Sequence, residues 1–246
     1  MNLLLVNDDG IHSQALRQLA LALAKQHRVT VVAPDREQSA VSHGINLWDP
    51  LFVKEVSLGE GIRAYSVTGK PADCTRLGLK NLTEEPVDLV ISGPNYGINA
   101  GGDLLYSGTV SAALEAAMLH QKAIAVSAPR EADMETVIQV FLDLLEQIDL
   151  EQDVRQVLNI NIPALPRKEI KGVKWAPQGG AQWLDSYEER VAPDGRHYFW
   201  PLSQGGPRDP GKDNDYTWLK AGYVSLTPLQ MFMTDPEGFS GKEFVL

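Results

Sequence analysis

A chain of 246 residues with 43% hydrophobic and 22% charged side chains can bury one sizeable core and carry a smaller lobe beside it. Its net charge of −10 disfavours a stable nucleic-acid partner, because such binding runs on Lys and Arg displacing counterions, and no stretch approaches the roughly 20 apolar residues of a membrane helix. The single cysteine, Cys74, excludes an internal disulfide and a cysteine-rich metal cluster, and with acidic residues from Asp8 onward where a signal peptide would be apolar, a cytoplasmic protein is expected.

The opening apolar run Leu3 to Val6, closed by Asn7-Asp8-Asp9-Gly10, predicts a buried strand ending in a turn. From Ser13 to Gln26, Leu16, Leu19, Ala20 and Leu23 recur at helical spacing, and Val29 to Ala33 predicts a second buried strand, completing a β-α-β unit. Leu51–Val56 and Ile62–Val67 predict paired strands around Gly59-Glu60-Gly61. Val87 to Ser92 and Ala123 to Ser127 predict further buried strands, with a helix between them from about Thr109 to His120. A helix over about Met134–Ile148 then leads to Val157-Leu158-Asn159-Ile160-Asn161-Ile162, a strand stopped by Pro163.

Strands alternating with helices predict an α/β fold, a mostly parallel Rossmann-like sheet flanked by helices. Beyond about Lys171 the texture changes. Gly179-Gly180, Pro193-Asp194-Gly195, Gly205-Gly206-Pro207 and Pro210-Gly211 separate aromatic-rich runs. The expected division is a catalytic core over 1–170 and a smaller C-terminal lobe over 171–246 carrying a long β-hairpin arm. Trp175, Trp183 and Tyr187 precede the Pro193-Asp194-Gly195 turn and Tyr198, Phe199 and Trp200 follow it. Such an arm has little core of its own, so it either packs back on the main sheet or buries its aromatics against a neighbouring subunit.

Ligands of open α/β sheets bind outside the carboxyl ends of the strands. There the chain places Asn7, Asp8 and Asp9 after the first strand, Asp35, Arg36 and Ser39 after the second, and Asn95 with a glycine-rich loop after the Val87–Ser92 strand. Adjacent carboxylates repel unless a cation lies between them, and Mg²⁺ or Mn²⁺ favours carboxylate, amide and hydroxyl oxygen. The plainer reading is that Asp8 or Asp9 caps the following helix. The run from Ser92 to Asp103 carries four glycines, and Tyr106-Ser107-Gly108-Thr109 adds hydroxyls at a helix start, together suited to phosphate. The alternative is a tightly turning surface loop with Thr109 as an ordinary cap. His12, just past Gly10, either donates a proton or packs beside the helix start. Asp73, in Gly69-Lys70-Pro71-Ala72-Asp73-Cys74, is expected to cap a helix rather than to support the site. Neither the glycine fingerprint of dinucleotide folds nor that of P-loop proteins occurs, and no H-E-x-x-H motif is present.

With those residues assembled, the sequence resembles the SurE family of 5′/3′-nucleotidases, the survival protein E family. The resemblance rests on Asn7-Asp8-Asp9-Gly10, on Ala33-Pro34-Asp35-Arg36 leading to Ser39, on Gly69-x-Pro71-Ala72-Asp73-Cys74, and on Ser92-Gly93-x-Asn95-x-Gly97-x-Asn99 followed by Tyr106-Ser107-Gly108-Thr109-Val110. Asn159–Pro163 and Gly222–Leu229 also look like family segments. The resemblance implies one divalent metal ion per subunit, Mg²⁺ or Mn²⁺, held by Asp8, Asp9, Ser39 and Asn95. It implies hydrolysis of nucleoside 5′- and 3′-monophosphates, possible action on short polyphosphate, and a homodimer or homotetramer joined through the hairpin. Asp8 and Asp9 would be the catalytic acids, and Asn95, Gly97, Ser107, Gly108 and Thr109 the phosphate contacts. Ala40, Gly44, Asn46 and Lys70 depart from the usual pattern and bear on nucleotide preference rather than on the reaction. A receiver-type signalling module also places an acidic pair after its first strand, but is about half this size. A nucleotide-binding regulator that does not turn over is the other rival.

Overall fold

The computed structural model describes residues 1–154, 156–181, 185–203 and 211–233. Trp183, the Gly205-Gly206-Pro207 turn and Pro210 lie outside them. The β1 strand, Asn2–Val6, sits mid-sheet, and its side chains alternate between two cores as a strand's period of two requires. Leu3 and Leu5 enter one apolar cluster, and Leu4 and Val6 the other.

Helix α1, Gln14–Leu23, starts where the Ser13 hydroxyl accepts the Leu16 N–H, and buries Leu16, Leu19, Ala20 and Leu23. It shares the first cluster with α4, Met134–Leu145, whose Val137 and Phe141 are buried there. The opposite face is covered by α2, Pro71–Leu77, and α3, Gly108–Met118. Ala112, Ala113 and Ala116 of α3 bring its backbone close to the strands beneath. A sheet sandwiched between two helical layers is thus built from the expected β-α repeats.

The remaining strands are β2, Arg28–Pro34, β3, Val53–Val56, β4, Ile62–Val67, β5, Leu89–Tyr96, β6, Ala123–Ala128, β7, Val157–Asn161, β8, Val173–Trp175, and β11, Val224–Leu229. With β1 they form a nine-stranded sheet in the order β3-β4-β2-β1-β5-β6-β7-β11-β8. The sheet is mostly parallel, as expected. Two pairings run antiparallel, β3 with β4 and β7 with β11. Chain direction turns at β1: β2 lies on one side and β5 on the other, which makes the β1/β5 crevice the switch point of the sheet.

Strands β8 and β11 both lie beyond residue 170 and yet belong to the main sheet. A short helix, α5, Asp215–Lys220, packs beside β11. The hairpin is a separate two-stranded sheet of β9, Asp185–Val191, and β10, His197–Ser203, in antiparallel register with Trp200 opposite Glu188. Its Tyr187, Phe199 and Trp200 are more than half exposed in the single chain.

Candidate active site

Asp8 and Asp9 emerge from the carboxyl end of β1 in a turn pinned by Asn7, whose side chain accepts the Gly10 N–H at 3.1 Å and donates to the Gly10 carbonyl at 3.0 Å. Gly10 adopts φ +92°, and a Cβ there would stand 3.0 Å from the Arg36 backbone, so the turn nests against the segment after β2 only with glycine. The acidic pair is therefore held by backbone geometry.

Neither acid caps α1; Ser13 does. Asp8 instead reaches across 101 residues to the start of α3, where the Thr109 N–H donates to Oδ2 at 3.0 Å and the Thr109 hydroxyl to Oδ1 at 2.5 Å. Thr109 is not the cap of α3 either, because the Ser107 hydroxyl accepts the Val110 N–H at 3.0 Å. A Cβ on Gly108 would lie 2.8 Å from the Asp8 Cβ, so glycine is required where helix and acid meet. The positive end of the α3 dipole consequently faces Asp8.

Electrostatics at the pair are unfavourable for an empty site. Burial pushes the Asp8 carboxyl up, against the lowering effect of the two Thr109 bonds. Burial, then the neighbouring Asp8 charge, pushes Asp9 up to about 6, with Glu37 adding to the rise while the Tyr96 amide and the Arg130 charge oppose it. Asp9 Oδ2 is buried and has no hydrogen-bond partner among the described residues. Two adjoining carboxylates that are costly to ionise, one with an orphaned oxygen, suit a divalent cation, often the largest local charge in such a site.

The other expected ligands approach from neighbouring strand ends. The Gln38 N–H donates to the Asp8 carbonyl at 2.7 Å, which brings the segment bearing Ser39 to the turn; the Ser39 hydroxyl donates to Glu37 at 2.5 Å. Asn95 follows a register shift between Ser92 and Asn95 in β5. Its amide nitrogen donates to the Gly97 carbonyl at 2.8 Å, and its amide oxygen is a hard donor of the kind Mg²⁺ or Mn²⁺ takes. Among the described residues no three His, Cys, Asp or Glu side chains cluster as metal ligands, so hydroxyl and amide oxygens would have to complete a set begun by Asp8 and Asp9.

The glycine-rich loop spends much of its backbone on the protein. The Gly97 N–H donates to the Ala128 carbonyl and the Gly102 N–H to that of Ala181, while the Gly101 N–H donates to Asp215. Asn99 is clamped by Asn159, Asn161 and Ser127, all buried. Near Asp8, Gly108 keeps an N–H without an acceptor among the described residues. His12 is exposed. Asp73 stands at the third position of α2 and accepts the Lys70 and Asn46 N–H groups, a capping role within the capping box of that helix.

Three groups give no signal in the sequence: Glu37 and Arg130, which act on Asp9 through charge, and Glu115, which joins His43 to Arg76. The Asn159-x-Asn161 alternation was a usable signal, since amides on a buried strand need partners.

A model of the survival protein SurE family matches residues 3–185. The 5′-nucleotidase SurE of Kosmotoga olearia is 42% identical over 238 residues, spanning 96% of this chain and 94% of its own. That of Thermosipho africanus is 43% identical over 240 residues with the same coverage. The crystal structure of the SurE protein from Aquifex aeolicus superposes with a TM-score of 0.83 at 35% identity, covering 98% of both chains.

Proposed function

The chain belongs to the SurE survival-protein family, and on that premise we propose that it is a metal-dependent phosphoric monoester hydrolase, a 5′-nucleotidase that converts nucleoside 5′-monophosphates to nucleoside and phosphate. The observation that carries the reading is the acidic pair at the switch point of the sheet, with the buried Asp8 held by Thr109 and the half-buried Asp9 leaving its buried Oδ2 unpartnered among the described residues. One Mg²⁺ or Mn²⁺ per subunit would be held by Asp8, Asp9, Ser39 and Asn95. Such an ion neutralises charge developing on a transferring phosphoryl group and acidifies water.

The chain's own groups then divide the work. Asp8 has both oxygens engaged by Thr109 and serves as a fixed anchor. Asp9 keeps a free oxygen and is the acid placed to accept a proton from the attacking water. The Gly108 N–H, at the positive end of α3, and the proton of the Ser107 hydroxyl are donors for phosphate oxygens. Asn95 and Gly97 shape the opposite wall, and Thr109 acts through Asp8. The same geometry admits 3′-monophosphates and the ends of short polyphosphate, since it grips the phosphoryl group. In a cytoplasmic protein of this charge, the working form would be a homodimer or homotetramer joined through the hairpin.

The test is phosphate release from a panel of nucleoside monophosphates with Mg²⁺, Mn²⁺ or chelator, beside Asp8→Asn and Asp9→Asn. We expect metal-dependent release that falls by about 10³-fold in either variant. Nucleotide binding without release under every metal would replace the enzyme with a binding protein.

A further inference from the structure

A cavity of about 790 Å³ opens over the carboxyl ends of β5, β6 and β7. It begins at Gly97, two residues after Asn95, and runs past Arg130 to the segment joining β7 to β8 and to the end of α5. Ile98, Pro129, Leu165 and Leu219 supply apolar wall, and the charges of Arg130 and Lys220 are matched by Asp103 and Glu131. Its size falls within the roughly 300–1,000 Å³ of small-molecule sites, which pair apolar walls with a few polar groups. The hydrogen bond from Gly97 to Ala128 holds the Asn95 loop against the end of β6, where the cavity begins. Arg130 is exposed, and its charge reaches Asp9.

A second cleft of about 680 Å³ lies on the other side of the acidic pair, among Arg36, Asn46, Trp48 and Lys70. Its largest apolar group, Trp48, is 92% exposed and turned to solvent. Neither a base nor a ribose would be enclosed by a wall that points outward. The first cavity, whose apolar wall includes the buried Leu219, is therefore the one that offers fixed apolar surface to a flat ring.

We propose that the cavity over β5–β7 is the nucleoside seat, with base and ribose against Leu165 and Leu219, and that Arg130 at its mouth contacts the substrate phosphate. Arg130 is a substrate-contacting residue for the phosphoryl end, with a planar donor array matched to phosphate oxygens. The walls around Ala164 set affinity for the nucleoside end. This assignment rests on the nucleotidase reading for the identity of its ligand, but adenosine binding tests it whether or not the protein turns over.

The experiment uses the full chain with Mn²⁺. Adenosine and inorganic phosphate are each titrated calorimetrically, and the KM and kcat for adenosine 5′-monophosphate are measured alongside. Ala164→Trp fills the cavity and should raise the adenosine Kd and the nucleotide KM about tenfold or more, with the phosphate Kd changed by less than about twofold. Leu165→Ala, which only removes wall, should weaken adenosine in the same direction. Arg130→Ala should reverse the pattern, weakening phosphate about tenfold and leaving adenosine within about twofold, with partial recovery in Arg130→Lys. Thermal melts of each variant check that the fold is retained. Adenosine affinity untouched by Ala164→Trp and Leu165→Ala in folded protein, or lowered by Trp48→Ala instead, would overturn the assignment. Absence of phosphate release from the unsubstituted protein, with adenosine still bound in this cavity, would strike the nucleotidase reading alone.

Discussion

Thr109 spends its backbone N–H and its hydroxyl on the two oxygens of Asp8, a buried carboxylate that burial alone would push toward the neutral form. Replacing Thr109 with Val keeps the volume and the backbone bond but removes the hydroxyl. Hydrogen bonds to charged groups contribute about 1.5–3 kcal/mol, so Thr109→Val should lose about that much stability in urea unfolding and weaken Mn²⁺ binding in a calorimetric titration. A metal affinity equal to the unsubstituted protein would show that Asp8 needs no such support. Gly108→Ala probes the same junction by crowding it, since the added methyl would stand 2.8 Å from the Asp8 Cβ. Overpacking typically costs about 1–3 kcal/mol, and here the strain falls on a proposed metal ligand, so activity should drop more than the melting temperature suggests. Adjacent acids at the end of an apolar strand announce themselves in a sequence. Glu37 and Arg130 do not, because an exposed charge in a loop looks the same whether it faces solvent or a neighbouring carboxylate.

Between β2 and β3 the chain crosses residues 35–52 without helix or strand, yet this stretch carries Ser39. What holds it is a set of ties to α3 and its approach. The Ser42 N–H donates to the Tyr106 carbonyl at 3.0 Å, and the Ser42 hydroxyl to Leu105 at 2.7 Å. Beyond them His43 Nε2 meets Glu115 at 2.8 Å, and Arg76 of α2 takes the other Glu115 oxygen at 2.5 Å. Glu115 is 2% exposed. Burial raises its pKa, but the bonds from His43 and Arg76 outweigh that and hold the carboxyl below the usual range. The sign follows: the stabilisation is present above the unfolded-state value near 4.5 and is lost as pH falls through the lower folded-state value. Glu115→Gln should cost on the order of 2 kcal/mol at neutral pH, less than the roughly 3–5 kcal/mol of a fully buried pair because His43 and Arg76 are both partly exposed. Below pH 4.5 the gap between variant and parent should narrow in pH-dependent unfolding; a constant gap would mean that the carboxylate charge contributes nothing. The periodic elements, β1, β2, β5, β6, β7 and helices α1, α3 and α4, were legible because apolar spacing is local. Strand β8 was not, since Val173-Lys174-Trp175 is a strand only by pairing with β11, and α5 is too short to show a period.

At the scale of the whole molecule, an acidic chain of net charge −10 that acts on an anionic substrate needs local compensation, which the end of α3, Arg130 and the proposed cation would supply at the carboxyl edge of the sheet. The residues assigned to that edge come from a single chain, whereas the hairpin forms its own two-stranded sheet with exposed aromatics. An isolated hairpin is marginally stable in water, and it exposes aromatic side chains on both faces, Tyr187 and Phe199 on one and Tyr198 and Trp200 on the other, apolar surface of the kind that marks a protein contact. A second copy of the chain, exchanging its own hairpin, would cover it with an isologous interface. Doubly charged substitution, Phe199→Glu with Trp200→Lys, should therefore shift sedimentation from oligomer to monomer at micromolar concentration. Because those positions lie outside the acidic pair, its α3 anchor and the cavity over β5–β7, the monomeric form should keep its metal-dependent phosphate release within about tenfold. An unchanged oligomer in that variant would remove the hairpin from the interface; a monomer that has lost all release would instead mean that the catalytic edge is completed only by assembly.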